Sequence, residues 1–135
     1  EDLNAARSHM SDTVYRRGRH IITENNRVLA SIGLLEGGDI HGFGKLMNES
    51  HDSLRSDYEV SCFELDTMVN SAREIDGVYG SRMTGAGFGG CTVSLVDSHY
   101  VSEFEERVSR EYSQRTGLPA TIYVCSAEDG ASRIE

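Results

Sequence analysis

Apolar residues recur every three or four positions along the first half of the chain. The longest stripe covers residues 12–36 and predicts one long amphipathic helix, because this spacing places the apolar residues on one helix face. The stripe consists of Val14, Gly18, Ile21, Ile22, Asn25, Val28, Leu29, Ile32 and Leu35. Gly37 and Gly38 are expected to end the helix, since glycine accepts the left-handed conformation that closes a helix.

Two further helices are predicted before the middle of the chain. Asp39 is a typical N-cap residue and precedes an apolar stripe over residues 40–55. Ser61 and Glu64 fit an S-x-x-E capping box, in which each side chain bonds to the backbone N–H of the other residue. We therefore expect the third helix to begin at this box and to continue to about residue 75.

The second half of the chain changes to the two-residue period of strands. Residues 78–84 and 91–96 are predicted strands, residues 99–116 a fourth helix that Gly117 ends, and residues 121–125 a last strand. The length of 135 residues fits a single domain. Three helices followed by strand, loop, strand, helix and strand predict an α+β domain with a small antiparallel or mixed sheet and helices packed on one face.

The composition is that of an acidic globular domain. Thirteen Lys and Arg residues against 22 Asp and Glu residues give a net charge of −9, which argues against nucleic acid as a partner because that binding depends on clustered cations. No apolar run approaches the roughly 20 residues of a membrane helix, and the sequence does not start with a signal-peptide pattern. The three cysteines lack a C-x-x-C spacing and favour a reduced, cytoplasmic environment.

A glycine-rich segment, residues 85–90, separates the first two predicted strands. It consists of Gly85, Ala86, Gly87, Phe88, Gly89 and Gly90. Glycines at this density lose much conformational entropy on folding, so they are typical of a backbone that adopts positive φ or approaches a ligand closely. Bare N–H groups in such a loop can form an anion-binding nest. A glycine-rich turn between two strands is the alternative that composition leaves open.

Three known phosphate-binding loops do not fit this segment. Its letters match the dinucleotide fingerprint G-x-G-x-x-G, but that motif needs a helix after it, and residues 91–96 alternate like a strand. A protein-kinase glycine loop needs a lysine downstream, whereas the only lysine of the chain, Lys45, precedes the loop. A Walker A loop ends in G-K-[ST], which is absent here.

Four stretches of the sequence resemble the galactokinase branch of the GHMP small-molecule kinase family. RMTGAGFGGCTV at residues 82–93 is similar to the third conserved motif of that family, with Ala86 where glycine is more common. HIITENNRV at residues 20–28 and ESHDSLRSDYEVS at residues 49–61 resemble galactokinase segments. YVC at residues 123–125, followed by the Gly-Ala pair at 130–131, is similar to the C-terminal end of the family.

The resemblance implies a fold and an activity. The fold would be a ferredoxin-like two-layer sandwich over residues 1–135, and the activity ATP-dependent phosphorylation of galactose with Mg²⁺. Galactokinases carry their sugar-recognition motif, their ATP-phosphate loop and their catalytic residues in an N-terminal domain. We therefore expect this chain to be the C-terminal domain, inactive alone, with residues 85–90 lining the active site and Arg82 and Thr84 in supporting positions.

Some alternatives remain open from the sequence. The chain could be a stand-alone ferredoxin-like binding or regulatory module, or the same domain of an N-acetylgalactosamine kinase. Without its N-terminal partner, the domain is also expected to form a homodimer. The histidines show no metal-ligand spacing, and His20 and His51 are expected to make structural hydrogen bonds. Cys91 is predicted to be buried in its strand, and Cys62 is expected to be structural.

Overall fold

A computed structural model describes residues 3–128 and residue 130. Helices α1 to α4 span Asp12–Glu36, Ile40–Ser53, Phe63–Arg73 and Val101–Thr116, and strands β1 and β2 span Val78–Thr84 and Cys91–Val96. A π-helical turn, Leu54–Tyr58, follows α2, and 3₁₀ turns lie at Arg7–His9 and Ser98–Tyr100. The fold is therefore α+β, as predicted. Ala131, which belongs to the C-terminal resemblance, lies outside the described residues.

Helix α1 has the predicted bounds, but its apolar stripe does not enter a core. Ser11 caps its start by accepting a hydrogen bond from the Val14 N–H, and Gly38 follows its end with φ of 71°. The stripe residues Val14, Ile21, Ile22, Val28, Leu29, Ile32 and Leu35 are 48–61% exposed. The sequence pattern thus predicted the helix correctly, while most of its apolar face is uncovered in this chain.

Helix α2 lies along the outer edge of β1, the edge that does not pair with β2. Asp39 caps the helix as expected, since its side chain accepts from the Gly42 N–H at 2.8 Å. Further along, Gly44 contacts the backbone of Gly80 so closely that a Cβ on either residue would collide with the other element. The Asn48 side chain then accepts a hydrogen bond from the Ser81 N–H at 2.9 Å. The helix therefore satisfies strand groups that would otherwise need another strand.

The predicted capping box is wrong. Helix α3 begins after Cys62, whose side chain makes no capping hydrogen bond. The Ser61 hydroxyl instead donates to the carboxylate of Asp66. The backbone turns sharply just before this point because Glu59 adopts the left-handed region with φ of 59°. Because the N-cap position is Cys62 and the Ser61 hydroxyl is bonded to Asp66 in the first turn, the reciprocal pairing with Glu64 does not form.

The core lies between α3, α4 and the sheet. Its buried cluster consists of Ala72, Ile75, Phe104 and Val108, with Val78, Val96 and Ile122 packed against it. Strands β1 and β2 form an antiparallel hairpin in which Arg82 lies opposite Val93. The Ser81 and Ser94 hydroxyls share a hydrogen bond of 2.8 Å on the buried face of this hairpin.

Two expectations about the second half are wrong. Residues 121–125 form no strand, and the sheet has two strands within the described residues. In that segment Ile122 packs on the core while Tyr123 and Val124 are exposed, so side-chain burial holds the segment without a ladder of backbone hydrogen bonds. Cys91 is exposed because it is the first residue of β2, beside the loop and beyond the core.

No helix in the described part of the chain combines the length and apolar character required to cross a membrane.

Candidate functional site

The glycine loop, residues 85–90, connects β1 to β2 at the end of the hairpin. Four of its residues have positive φ: Gly85 (75°), Gly87 (83°), Phe88 (57°) and Gly89 (109°). Three of the four are glycines, which adopt these angles without steric cost. A strand follows the loop, so the hairpin supports the exclusion of a dinucleotide fingerprint, which needs a helix there.

One side of the glycine loop is fixed to the protein. The Phe88 N–H donates a hydrogen bond of 2.9 Å to the carbonyl oxygen of Val60, which follows the left-handed Glu59. Gly87 lies so close to the same carbonyl that a Cβ there would collide with it, and would also lie 2.8 Å from Cε of Met83. Residues 59 and 60 therefore set the position of the middle of the loop.

The other side of the glycine loop is open. A Cβ on Gly85 or on Gly89 would meet nothing within 4 Å, and the Phe88 side chain is 75% exposed. Within the described residues, the N–H groups of Gly89 and Gly90 have no protein acceptor. Unpaired backbone donors without side chains around them are suited to contact an anion such as a phosphate group.

Arg82, next to the loop in sequence, is already engaged within the domain. Its Nε donates to the Met83 carbonyl at 3.1 Å, and its NH1 lies 3.5 Å from a Glu24 carboxylate oxygen on α1. Burial acts to raise the pKa of Glu24, but hydrogen bonds from Ser50 and Arg27 outweigh it and hold that pKa below its ordinary value. The charged Glu24 thus ties β1 to α1 through Arg82.

An open cavity of about 390 Å³ lies between α1, α2 and the two strands of the hairpin. Arg82 and Thr84 both line it, together with Val28, Phe43 and Leu95. The structure therefore places the two predicted supporting residues on one cavity wall, next to the glycine loop. The cavity is mainly apolar, with the Glu24 and Arg82 pair at its wall.

A cluster of arginines on α1 holds the turn that supports the loop. Arg16 and Arg17 each lie 2.6 Å from one carboxylate oxygen of Glu59, and Arg19 pairs with the buried Asp57. Burial acts to raise the pKa of Asp57, but the hydrogen bond and charge of Arg19 lower it overall. These contacts fix the π-helical turn against α1, and with it the two residues that anchor the loop.

The two buried histidines make structural hydrogen bonds, as expected. His20 Nδ1 is 2.9 Å from the Ser53 hydroxyl, which in turn donates to Asp57 at 3.2 Å. His51 Nδ1 accepts from the Met83 N–H at 3.1 Å. Burial lowers the pKa of both imidazoles. Cys62, expected to be structural, is half-buried at the start of α3.

The model of the family described as "GHMP kinases C terminal" matches residues 31–114, which is more than half of the chain. The matched span contains α2, α3, the hairpin with its glycine loop and most of α4. The chain belongs to the GHMP kinases. The resemblance of the sequence to this family is thereby confirmed.

Named relatives of this GHMP kinase chain are galactokinases. The galactokinase of Roseiflexus sp. (strain RS-1) is 50% identical over 99% of the chain, and the human galactokinase is 47% identical over 97%. The chain spans about a third of the length of these curated relatives, 34% and 32% respectively.

Solved structures agree with the fold of this GHMP kinase chain. The galactokinase of Lactococcus lactis, crystallised in complex with galactose, superposes with a TM-score of 0.87 at 41% identity, over 90% of this chain and 32% of that one. The mevalonate kinase of L. major, in complex with R-mevalonate, gives a TM-score of 0.55 at 26% identity, over 77% of this chain and 32% of that one.

The residues that hold the glycine loop in place were not identified from the sequence, although structural hydrogen bonds were expected for one of them, His51. Asn48 and His51 on α2 bond to β1, and Val60 bonds to the loop itself. A signal for the first two was present, because Gly44, Asn48 and His51 are spaced four and three residues apart and share one helix face. No sequence signal marks Val60, since it acts through its backbone carbonyl.

Proposed function

We propose that the chain is the C-terminal domain of a galactokinase, which transfers a phosphoryl group from ATP to galactose and forms galactose 1-phosphate. The identity of 47–50% to galactokinases over nearly the whole chain carries this proposal. The glycine loop, open to solvent on one side and fixed on the other, supports it. The exposed apolar face of α1 favours a domain that packs against another part of a longer protein over a stand-alone binding module.

In this proposal the glycine loop, Gly85 to Gly90, forms one wall of the active-site cleft. Catalysis of phosphoryl transfer depends mostly on positioning and on stabilisation of charge. The free N–H groups of Gly89 and Gly90 can donate to phosphate oxygens, and the absence of side chains lets those oxygens approach the backbone. Arg82 and Thr84 support the loop from the end of β1. The loop contributes no nucleophile, acid or base.

The rest of the polypeptide supplies the other parts of the site. ATP brings the phosphoryl group, and Mg²⁺ neutralises charge on its phosphates. Among the described residues, no three His, Cys, Asp or Glu side chains group as metal ligands. In this proposal, therefore, the ligands of Mg²⁺, the catalytic residues and the galactose pocket belong to an N-terminal kinase domain. We place the enzyme in the cytoplasm, where ATP is available and free cysteines remain reduced.

The test uses the complete polypeptide that contains this chain. It is assayed with MgATP and either galactose or N-acetylgalactosamine, and the sugar 1-phosphate is quantified. Two variants are compared, Gly89→Val in the loop and Gly117→Val at the end of α4. Both glycines have positive φ, 109° and 73°, and open surroundings, so both substitutions introduce backbone strain of order 1–2 kcal/mol without a steric collision.

We expect galactose 1-phosphate with the wild type. Gly89→Val, but not Gly117→Val, should lower turnover by about 100-fold, because its side chain blocks the approach of phosphate and displaces the N–H donors, and losing one transition-state donor has an effect of this order. A wild type that does not phosphorylate galactose would refute the proposal, and a preference for N-acetylgalactosamine would assign that sugar instead. Equal kinetics of the two variants would reduce the glycine loop to a connection between strands.

A further inference from the structure

His51 connects the centre of the domain to the start of the glycine loop. It lies in α2 with no exposed surface, and its Nδ1 accepts a hydrogen bond of 3.1 Å from the N–H of Met83. Met83 is the last buried residue of β1 and stands two positions before Gly85. The backbone at the entry to the loop, which pairs with β2 on one side, is therefore bonded to α2 on the other side through a single imidazole nitrogen.

This hydrogen bond fixes the protonation state of the ring. A nitrogen that accepts from a backbone N–H carries no proton, so the proton of the neutral imidazole lies on Nε2. His51 Nε2 is 3.2 Å from a carboxylate oxygen of Asp66 on α3, outside the geometry of a hydrogen bond. Asp66 is in turn bonded by the Ser61 hydroxyl. His51 thus stands between three elements, α2, α3 and β1.

Burial favours the neutral ring, while the surrounding charges act in both directions. Burial is the largest influence that lowers the pKa of His51, and the guanidinium of Arg73 on α3 acts in the same direction. Arg55, in the turn after α2, also lowers it, whereas Asp66 and Asp52 act to raise it. At the contact itself β1 presents only the uncharged Met83.

The same short stretch of chain also anchors the middle of the loop. Nine residues after His51 the chain reaches Val60, whose carbonyl accepts from the Phe88 N–H. The loop is therefore held at its entry by a side chain and at its middle by a backbone carbonyl. Of these two anchors, only His51 can gain a proton.

We propose that His51 is a positioning residue for the glycine loop: its neutral imidazole holds the Met83 N–H and so sets where the free amides of the loop stand. The inference rests on the proposed function, in which those amides contact phosphate. A proton on Nδ1 would place a ring N–H against the Met83 N–H. Two donors cannot bond to each other, so the entry to the loop would lose its anchor.

The experiment compares His51→Asn with His51→Gln in the complete polypeptide. The shorter Asn side chain keeps an acceptor near the position of Nδ1, whereas the amide of Gln extends to the position of Nε2 and leaves the Met83 N–H without a partner. The two variants have similar polarity, and only one preserves the anchor. Hydrogen exchange of peptides covering residues 83–90 is measured by mass spectrometry, with the sugar kinase rate, kcat and KM, measured between pH 5 and 8.

We expect exchange over residues 83–90 to rise about tenfold or more in His51→Gln, because a buried donor loses its partner, while exchange in α4 stays unchanged. In the same variant kcat should fall with little change in the KM for galactose. His51→Asn should retain most of the protection and of kcat. The acid limb of the pH profile of kcat should lie at lower pH in His51→Asn than in the wild type, since the amide does not titrate in this range.

Equal exchange in the two variants, or an acid limb that is identical in wild type and His51→Asn, would overturn the proposal. If neither variant folds, the nitrogen NMR shifts of His51 in the wild type decide the question, and a proton on Nδ1 near neutral pH would refute it. Failure of the proposed function would be recognised separately. The wild type would then lack galactokinase activity, while the exchange data and the ring tautomer would still test the anchor.

Discussion

Replacement of Gly44 by alanine should destabilise the domain, although alanine is the better helix former. Gly44 lies inside α2, where Gly→Ala ordinarily stabilises by about 1 kcal/mol. Here a Cβ would collide with the Tyr79 carbonyl group and would lie 2.8 Å from the Tyr79 Cβ. A backbone carbonyl cannot rotate away as a side chain can, so α2 would have to move off the edge of β1.

The two effects oppose each other, and the collision should prevail. Overpacking of a tight contact costs about 1–3 kcal/mol, and the loss of the Asn48 and His51 hydrogen bonds to β1 would add about 1 kcal/mol for each bond. Against the helix-propensity gain of about 1 kcal/mol, we expect a net loss of about 2–4 kcal/mol in the free energy of unfolding.

Gly33→Ala is the matched control, because Gly33 also lies inside a helix, α1, and a Cβ atom added there would have no atom within 4 Å. It should stabilise the chain by about 0.5–1 kcal/mol. Urea denaturation of residues 1–135, followed by circular dichroism, measures both variants. A Gly44→Ala variant as stable as Gly33→Ala would refute the contact between α2 and β1 on which this reasoning depends.

Three further outcomes are expected. Burial lowers the pKa of His20 and of His51 below the ordinary value of 6.5, so below about pH 6.5 the unfolded chain binds more protons than the folded one. Stability against urea should therefore fall as the pH decreases toward 5, and a flat profile would contradict this. The isolated chain should form no galactose 1-phosphate in a coupled assay, even at high protein concentration. The isolated chain should also form a dimer through the exposed face of α1, which sedimentation equilibrium would detect. Ile21→Glu, at a position that is 55% exposed, should restore the monomer. A strictly monomeric wild type would argue against this dimer.

The secondary structure could be predicted where the apolar period and the capping residues indicate the same element. Helix α1 has its predicted bounds because a strong apolar period ends at Gly37, and the cap at Asp39 is a local hydrogen bond. The capping box failed because α3 begins one residue later, after Cys62, and Ser61 bonds to Asp66. Two residues before Ser61, the left-handed Glu59 is held by two arginines of α1 from some 40 residues away in sequence. A turn fixed by distant charges is beyond a local pattern.

The expected strand at residues 121–125 shows a different limit. Its β-branched and aromatic residues are suited to a sheet, but propensity does not supply a neighbouring strand. In the structure Ile122 packs against the core, and residues 121–125 form no backbone hydrogen-bond ladder with a strand. The edge of a sheet is a property of the whole topology, so composition could not decide it.

The candidate site was predictable in its position and not in its support. Four glycines in six residues marked the loop, but the groups that hold it are the Val60 carbonyl and the ring of His51. A backbone carbonyl leaves no trace in a sequence pattern. His51 was recognisable as a buried, hydrogen-bonded residue, yet its partner, the Met83 N–H, is again a backbone group.

Ala86, where the family motif more often has glycine, lies at a position whose backbone conformation suits alanine. Ala86 stands at a position without positive φ, whereas Gly85, Gly87 and Gly89 around it all have positive φ. A methyl group at Ala86 therefore introduces no backbone strain, and alanine can replace the more common glycine. Phe88 is the opposite case, since a bulky side chain at φ of 57° costs of order 1 kcal/mol while being 75% exposed. Burial among the described residues does not offset that strain. We therefore propose that the Phe88 side chain makes a contact outside them, in the cleft that the loop is proposed to line.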